Sequence, residues 1–185
     1  MAVKEFDNEE LIALARLDVE KGDLESGLSK LKQVVKSKDD VPEAKTMLAR
    51  LYAQLGLFDK AQEFYQSFLD DNPDALVESF QFGMTYFDSG ERNRAIDIWN
   101  GVLEKNPVFP PALYYKSVAL MQEGQSADAK ISIEKLLQSA PSDNLYFGKA
   151  KELIDGINKS SDSAANQNLD ASIARFPKDA YKTEH

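Results

Sequence analysis

Apolar residues along the chain fall at helical spacing, in runs punctuated by single glycines and prolines, and the pattern is clearest between Leu76 and Phe109. There Phe80, Met84 and Phe87 recur at i, i+4 and i+7, while Ser79, Phe82, Gly83 and Tyr86 form a second stripe roughly 115° away at ~100° per residue. The stretch predicts a helix with two faces that avoid water, a break at Ser89-Gly90, and a second helix that stops at Pro107. Gly22, Gly56, Gly90 and Gly124 repeat the break every 34 residues. Five places after each comes a small residue, Gly27, Ala61, Ala95 or Ala129, and four places further a large apolar one, Leu31, Tyr65, Trp99 or Ile133. Pro73, Pro107 and Pro141 keep the same period, with Asp39 in the first copy. Coincidences at one fixed period identify internal repetition.

Each recurring residue has a physical task. Glycine ends the first helix of a unit (helix A), where a left-handed backbone costs other residues ~1 kcal/mol or more. The small residue lets the second helix (helix B) approach closely, the large one fills the space between the two, and proline ends helix B because it cannot continue the hydrogen-bond ladder. A single hairpin of this kind cannot bury its apolar faces alone, so the units must stack. The predicted repeats span about 8–41, 42–75, 76–109 and 110–143. A further helix over 144–158, carrying Leu145, Phe147, Ala150, Leu153, Ile154 and Ile157, fits helix A of a fifth unit and predicts a cap for a single domain over 1–159. From 160 to 168 the chain is small and polar, the composition of a flexible linker. Leu169, Ile173 and Phe176 then share one face before Pro177, which reads either as a short amphipathic helix over 169–176 or as a disordered tail.

These residues resemble the tetratricopeptide repeat pattern W-x2-L-G-x2-Y, A-x3-F, P. The third copy supplies Phe82-Gly83, Tyr86, Ala95, Trp99 and Pro107, with Ser79 in place of the Trp, and the second supplies Leu48-Ala49, Tyr52, Ala61, Tyr65 and Pro73. The fourth has Lys116-Ser117 and Leu120 before Ala129, Ile133 and Pro141; the first has Leu14-Ala15, Asp18, Gly27 and Leu31. The resemblance implies an all-α fold, a right-handed superhelical α-solenoid of four 34-residue helix-turn-helix repeats closed by the C-terminal helix.

Composition narrows the functional classes. A net charge of -9 argues against nucleic acid or anionic lipid, whose phosphates need clustered Lys and Arg. The chain has no cysteine, so thiol catalysis and iron-sulfur clusters are excluded, and its one histidine is His185, a poor basis for a general base or a metal site. Asp70, Asp71 and Asp74 lack the ligand spacing of a calcium loop and read as solvated turn residues. Neither a phosphate-binding glycine loop nor a nucleophile elbow is present, so the expectation is a non-enzymatic protein without cofactor or metal. Arg16 and Asp18 interrupt the apolar run near the N-terminus and Lys116 the run from Val108 to Met121, which predicts no direct membrane insertion. A cytoplasmic location follows, or a periplasmic one if a signal or anchor segment precedes the chain.

The resemblance also implies that helix A supplies an inner, concave surface. By the 34-residue register its positions include Arg16 and Arg50 in the first two repeats, Phe80, Met84 and Phe87 in the third, and Tyr114, Val118 and Met121 in the fourth. Two arginines could pair with a carboxylate; the remaining six side chains form an apolar stripe. Leaving six such residues in water would forgo on the order of 10 kcal/mol, so either they pack within the repeats or something covers them. The candidate occupants are a segment of a protein partner, a second copy of the chain, or the chain's own C-terminal segment, which a linker of about ten residues lets reach roughly 17 to 19 Å. Family members that grip acidic chaperone tails use Lys, Asn and Arg at positions here held by Ile12, Arg16, Met47, Val77 and Gln81, of which Arg16 alone is basic. The reading is therefore a protein-interaction module or assembly scaffold holding a partner peptide or helix in its groove. Its alternative is a self-associating repeat protein whose groove is filled by its own or a neighbour's C-terminal segment. On the first reading, Phe80→Glu or Met84→Glu would abolish partner capture while leaving helicity intact.

Overall fold

The computed structural model describes residues 6–37 and 41–162, the side chains of 159–162 apart. The described residues form nine helices and no strand: α1 (Asn8–Glu20), α2 (Leu24–Lys36), α3 (Pro42–Gln54), α4 (Phe58–Asp71), α5 (Leu76–Asp88), α6 (Arg92–Lys105), α7 (Pro110–Gln122), α8 (Ser126–Ser139) and α9 (Leu145–Asp162). The last helix runs to Asp162, past the end at 158 that the sequence pattern suggests, because Lys159 to Asp162 contain no breaker. The rest of the linker and the segment 169–176 lie outside the described residues. None of the helices is long and apolar enough to cross a membrane, among the described residues.

Helix ends are set where the sequence pattern places them. Gly22, Gly56, Gly90 and Gly124 all have positive φ, from 71° to 90°. At each, the glycine N–H bonds the carbonyl three residues back, and the next N–H reaches back five, as in Glu91 N donating to Tyr86 O at 2.8 Å. This paired Schellman closure satisfies carbonyls that the helix itself leaves unpaired. At the first N-terminus, Asp7 accepts from Glu10 N at 2.8 Å while Glu10 Oε2 accepts from Asp7 N, a reciprocal capping box. Pro42 and Pro110 open α3 and α7, where a missing N–H costs nothing.

The chain divides into two compact units, the first ending at Pro73 and the second starting at Asp74. In the first, the hairpins α1/α2 and α3/α4 pack through α2 and α3. Gly27 sits so close to α1 that a Cβ there would lie 2.8 Å from Val19 Cγ2, and Leu31, Val34, Leu48 and Tyr65 fill the interior. Tyr52 and Phe64 stack with ring centroids 5.7 Å apart.

In the second unit the hairpins α5/α6 and α7/α8 pack through α6 and α7, and α9 closes the row against α8 and α7. Its centre is Trp99, fully buried, whose indole lies against Gly83: a Cβ at Gly83 would meet Trp99 Nε1 at 2.3 Å. The indole N–H donates to Phe80 O at 3.2 Å, and Phe80, Phe87 and Tyr115 surround the ring with centroids 5.8 to 6.2 Å from it. Ala15, Ala49, Gly83 and Ser117, one per repeat, are all small and buried; the next member of the series, Lys151 on α9, is exposed, with its ammonium 5.0 Å from the Phe147 ring centroid.

Two glycines separate packing from backbone strain. Gly83→Ala must displace Trp99 and is expected to cost about 1–3 kcal/mol. Gly90→Ala meets open space, so only its left-handed backbone is penalised, by about 1 kcal/mol. Urea denaturation followed by far-ultraviolet circular dichroism gives both values, and an equal loss would refute the assignment of the Gly83 position to packing.

Candidate interaction surface

In the second unit the three helices of A type, α5, α7 and α9, lie side by side, which creates one continuous inner face. Its floor is apolar and closed. Phe80, Met84, Phe87 and Val118 are only 4%, 1%, 7% and 1% exposed. Phe80 packs against Trp99 of its own hairpin and against Phe109 and Tyr115 of the next, at 5.9 and 5.7 Å between centroids for the latter two. Phe87 makes the same bridge, 5.8 Å from Trp99 and 6.3 Å from Tyr115. The four side chains expected to line an open groove are therefore buried, Phe80 and Phe87 between adjacent hairpins. Sequence spacing puts them on one helix face; it does not show that the neighbouring A helix covers that face.

Tyr114 and Met121 are the members of the expected stripe that remain half-exposed. Tyr114 meets Tyr115 edge-on at 5.3 Å and Tyr146 at 5.7 Å, and Lys149 holds its ammonium 5.9 Å from the Tyr114 centroid and 5.6 Å from that of Tyr146. Burial raises the Tyr114 phenol above its ordinary pKa, and the nearby charge of Glu152 adds to the rise. Tyr115 is shifted upward too, first by burial and then by Tyr146, Tyr114 and Asp88. These phenols stay protonated near neutral pH and can donate hydrogen bonds there.

In the first unit the expected arginines have different surroundings. Arg16 on α1 is exposed and pairs with Glu43 on α3, a surface ion pair worth ~0–1 kcal/mol. Arg50 is half-buried on α3. Carboxylates of the acidic turn pair with lysines, Asp71 with Lys45 at 3.6 Å and Asp74 with Lys105 at 3.0 Å, each pair within its own unit.

Family models described as tetratricopeptide repeat match residues 11–81 and 80–144. The chain belongs to the tetratricopeptide repeat family. Stacked repeats of this family form an α-solenoid that serves as a protein-binding scaffold. Solved structures with the same fold include a tetratricopeptide repeat protein from Parabacteroides merdae, 21% identical with a TM-score of 0.73, matched over 91% of this chain and 67% of that one. MamA from Desulfovibrio magneticus is 17% identical with a TM-score of 0.69 over 92% and 98% of the two chains. YrrB, described as a repeat protein with an unusual peptide-binding site, is 19% identical with a TM-score of 0.69 over 78% and 74%. Identities this low carry the fold alone. A comparison with curated proteins finds no significant match.

Register reasoning within the family missed Tyr115, Tyr146 and Lys149. Tyr115 and Lys149 are themselves 34 residues apart, one place beyond the inner position held by Tyr114, and the third repeat has Gln81 there. A tyrosine beside an inner-face tyrosine was the available signal, because an adjacent pair on one helix must send its rings to different neighbours.

Burial inverts the expected effect of substitution. Phe80→Glu and Met84→Glu are expected to lower stability by about 3–5 kcal/mol through lost packing alone, with early loss of helical signal on heating. Met121→Glu, on a half-exposed side chain, is expected to cost about 1 kcal/mol. Thermal melts of the three variants side by side check the order, and a Phe80→Glu melt matching the wild type would refute the buried placement.

Proposed function

We propose that this repeat protein acts by binding, holding a peptide or helical segment of another protein along the inner faces of its A helices. The observation that carries the reading is the accessible Tyr114 and Met121 above a closed aromatic floor. Rigid aromatic side chains anchored by their neighbours lose little entropy on contact, and such residues dominate binding energy at interfaces. Phe80, Met84, Phe87 and Val118 serve this surface from beneath by fixing the backbone that carries it. In the first unit, Arg16 and Arg50 supply the corresponding inner positions; a partner carboxylate would compete with Glu43 for Arg16. The Tyr114 and Met121 contacts are apolar and aromatic, which fits a groove that recognises side-chain shape, with polar contacts arranged around it.

Affinity capture with the full chain tests the proposal. Tyr114→Ala and Met121→Glu are expected to reduce recovery of the captured partner at least roughly tenfold, the loss of about 1.4 kcal/mol of binding energy, while each variant still melts cooperatively, a few degrees below the wild type. Undiminished recovery with both variants would remove the inner face from the function.

A further inference from the structure

The charges around the inner face of the second unit define its partner more closely, given the binding role proposed above. The inner register positions of α5, α7 and α9 hold no Lys or Arg; Glu152 and Asp155 on α9 are exposed carboxylates, and Asp88, one place past the inner position Phe87 on α5, is exposed as well. Two of these carboxylates lie near enough to act on tyrosines of α7, Glu152 on half-exposed Tyr114 and Asp88 on buried Tyr115. Met121, level with these carboxylates in the 34-residue register, is half-exposed, as is Tyr114, and toward the starts of α5 and α9 the exposed apolar side chains are Val77 (42%) and Leu145 (57%). Lys149 enters from the neighbouring register position and lies over the rings of Tyr114 and Tyr146, which shows that these faces accept a cation.

We propose that this face takes a polypeptide segment in which Lys or Arg residues flank an aromatic or aliphatic one. The apolar residue covers Met121, and the cations meet Asp88, Glu152 and Asp155. An acidic segment would bring like charges together at all three carboxylates. A wholly apolar segment would desolvate them without compensation. Basic residues beside an apolar anchor match both components, and an Arg in the segment can stack on the tyrosines alongside Lys149.

The test uses the full chain and two synthetic amphipathic helical peptides, one of Leu and Lys and one of Leu and Glu in the same pattern, with binding followed by fluorescence anisotropy. The Leu/Lys peptide is expected to bind, and the pair of changes Glu152→Lys and Asp155→Lys to weaken it by roughly tenfold or more, with melting curves confirming the fold. A charge-matched control on α4, Asp59→Lys with Glu63→Lys, is expected to leave binding unchanged. Equal weakening by the control would show diffuse attraction to an acidic protein and overturn the proposal. If the Leu/Glu peptide binds instead and Met121→Glu abolishes that binding, the inner face remains the interaction surface and the charge inference falls. If neither peptide responds to Met121→Glu, both fall. The chain itself contains such a composition at Arg175, Phe176 and Lys178. Binding of the Leu/Lys peptide that emerges only after Arg175→Glu with Lys178→Glu would assign the face to that segment and overturn an external partner.

Discussion

A tryptophan ring resting on a residue without a side chain is the contact on which the second unit depends. Trp99 can be fully buried because Gly83 leaves room for it, and the indole then serves as the surface against which Phe80, Phe87 and Tyr115 pack. Helix A and helix B of the hairpin are held at close range by this pair, and the neighbouring hairpin is joined through the same ring. The first unit reaches the same end with other residues: Gly27 admits α1 closely, and Leu31 takes the place that Trp99 holds later. One geometrical requirement, a small residue opposite a large one, thus recurs with different chemistry.

Much of this architecture was legible in the sequence because the decisive residues act locally. Glycine at a helix end needs only its own backbone freedom, and its period of 34 residues located all four hairpin turns. Proline and the small-to-large spacing likewise speak about one hairpin at a time. Burial of the inner stripe was not legible, since Phe80 and Phe87 are both covered by Tyr115, a residue of the next repeat. Helical periodicity reports that a face avoids water and says nothing about which neighbour shields it. Tyr146 and Lys149 were missed for a related reason: they come from α9, where the repeat pattern has already decayed.

The inner face of the second unit consequently has two layers with separate duties. Buried aromatic side chains hold α5, α7 and α9 side by side, and Tyr114 and Met121 lie half-exposed above them. Because the lower layer is closed, substitutions in the upper layer leave the core shut.

The series Ala15, Ala49, Gly83, Ser117, Lys151 has a consequence of another kind. Four small residues each permit one helix B to close upon its helix A, and the fifth places a long charged side chain, lying over Phe147, in the path of any further helix arriving in the same register. Admitting that helix would mean stripping water from an ammonium group. Lys151 thus breaks the run of small positions: where α1, α3, α5 and α7 each present a small buried residue, α9 presents a hydrated cation.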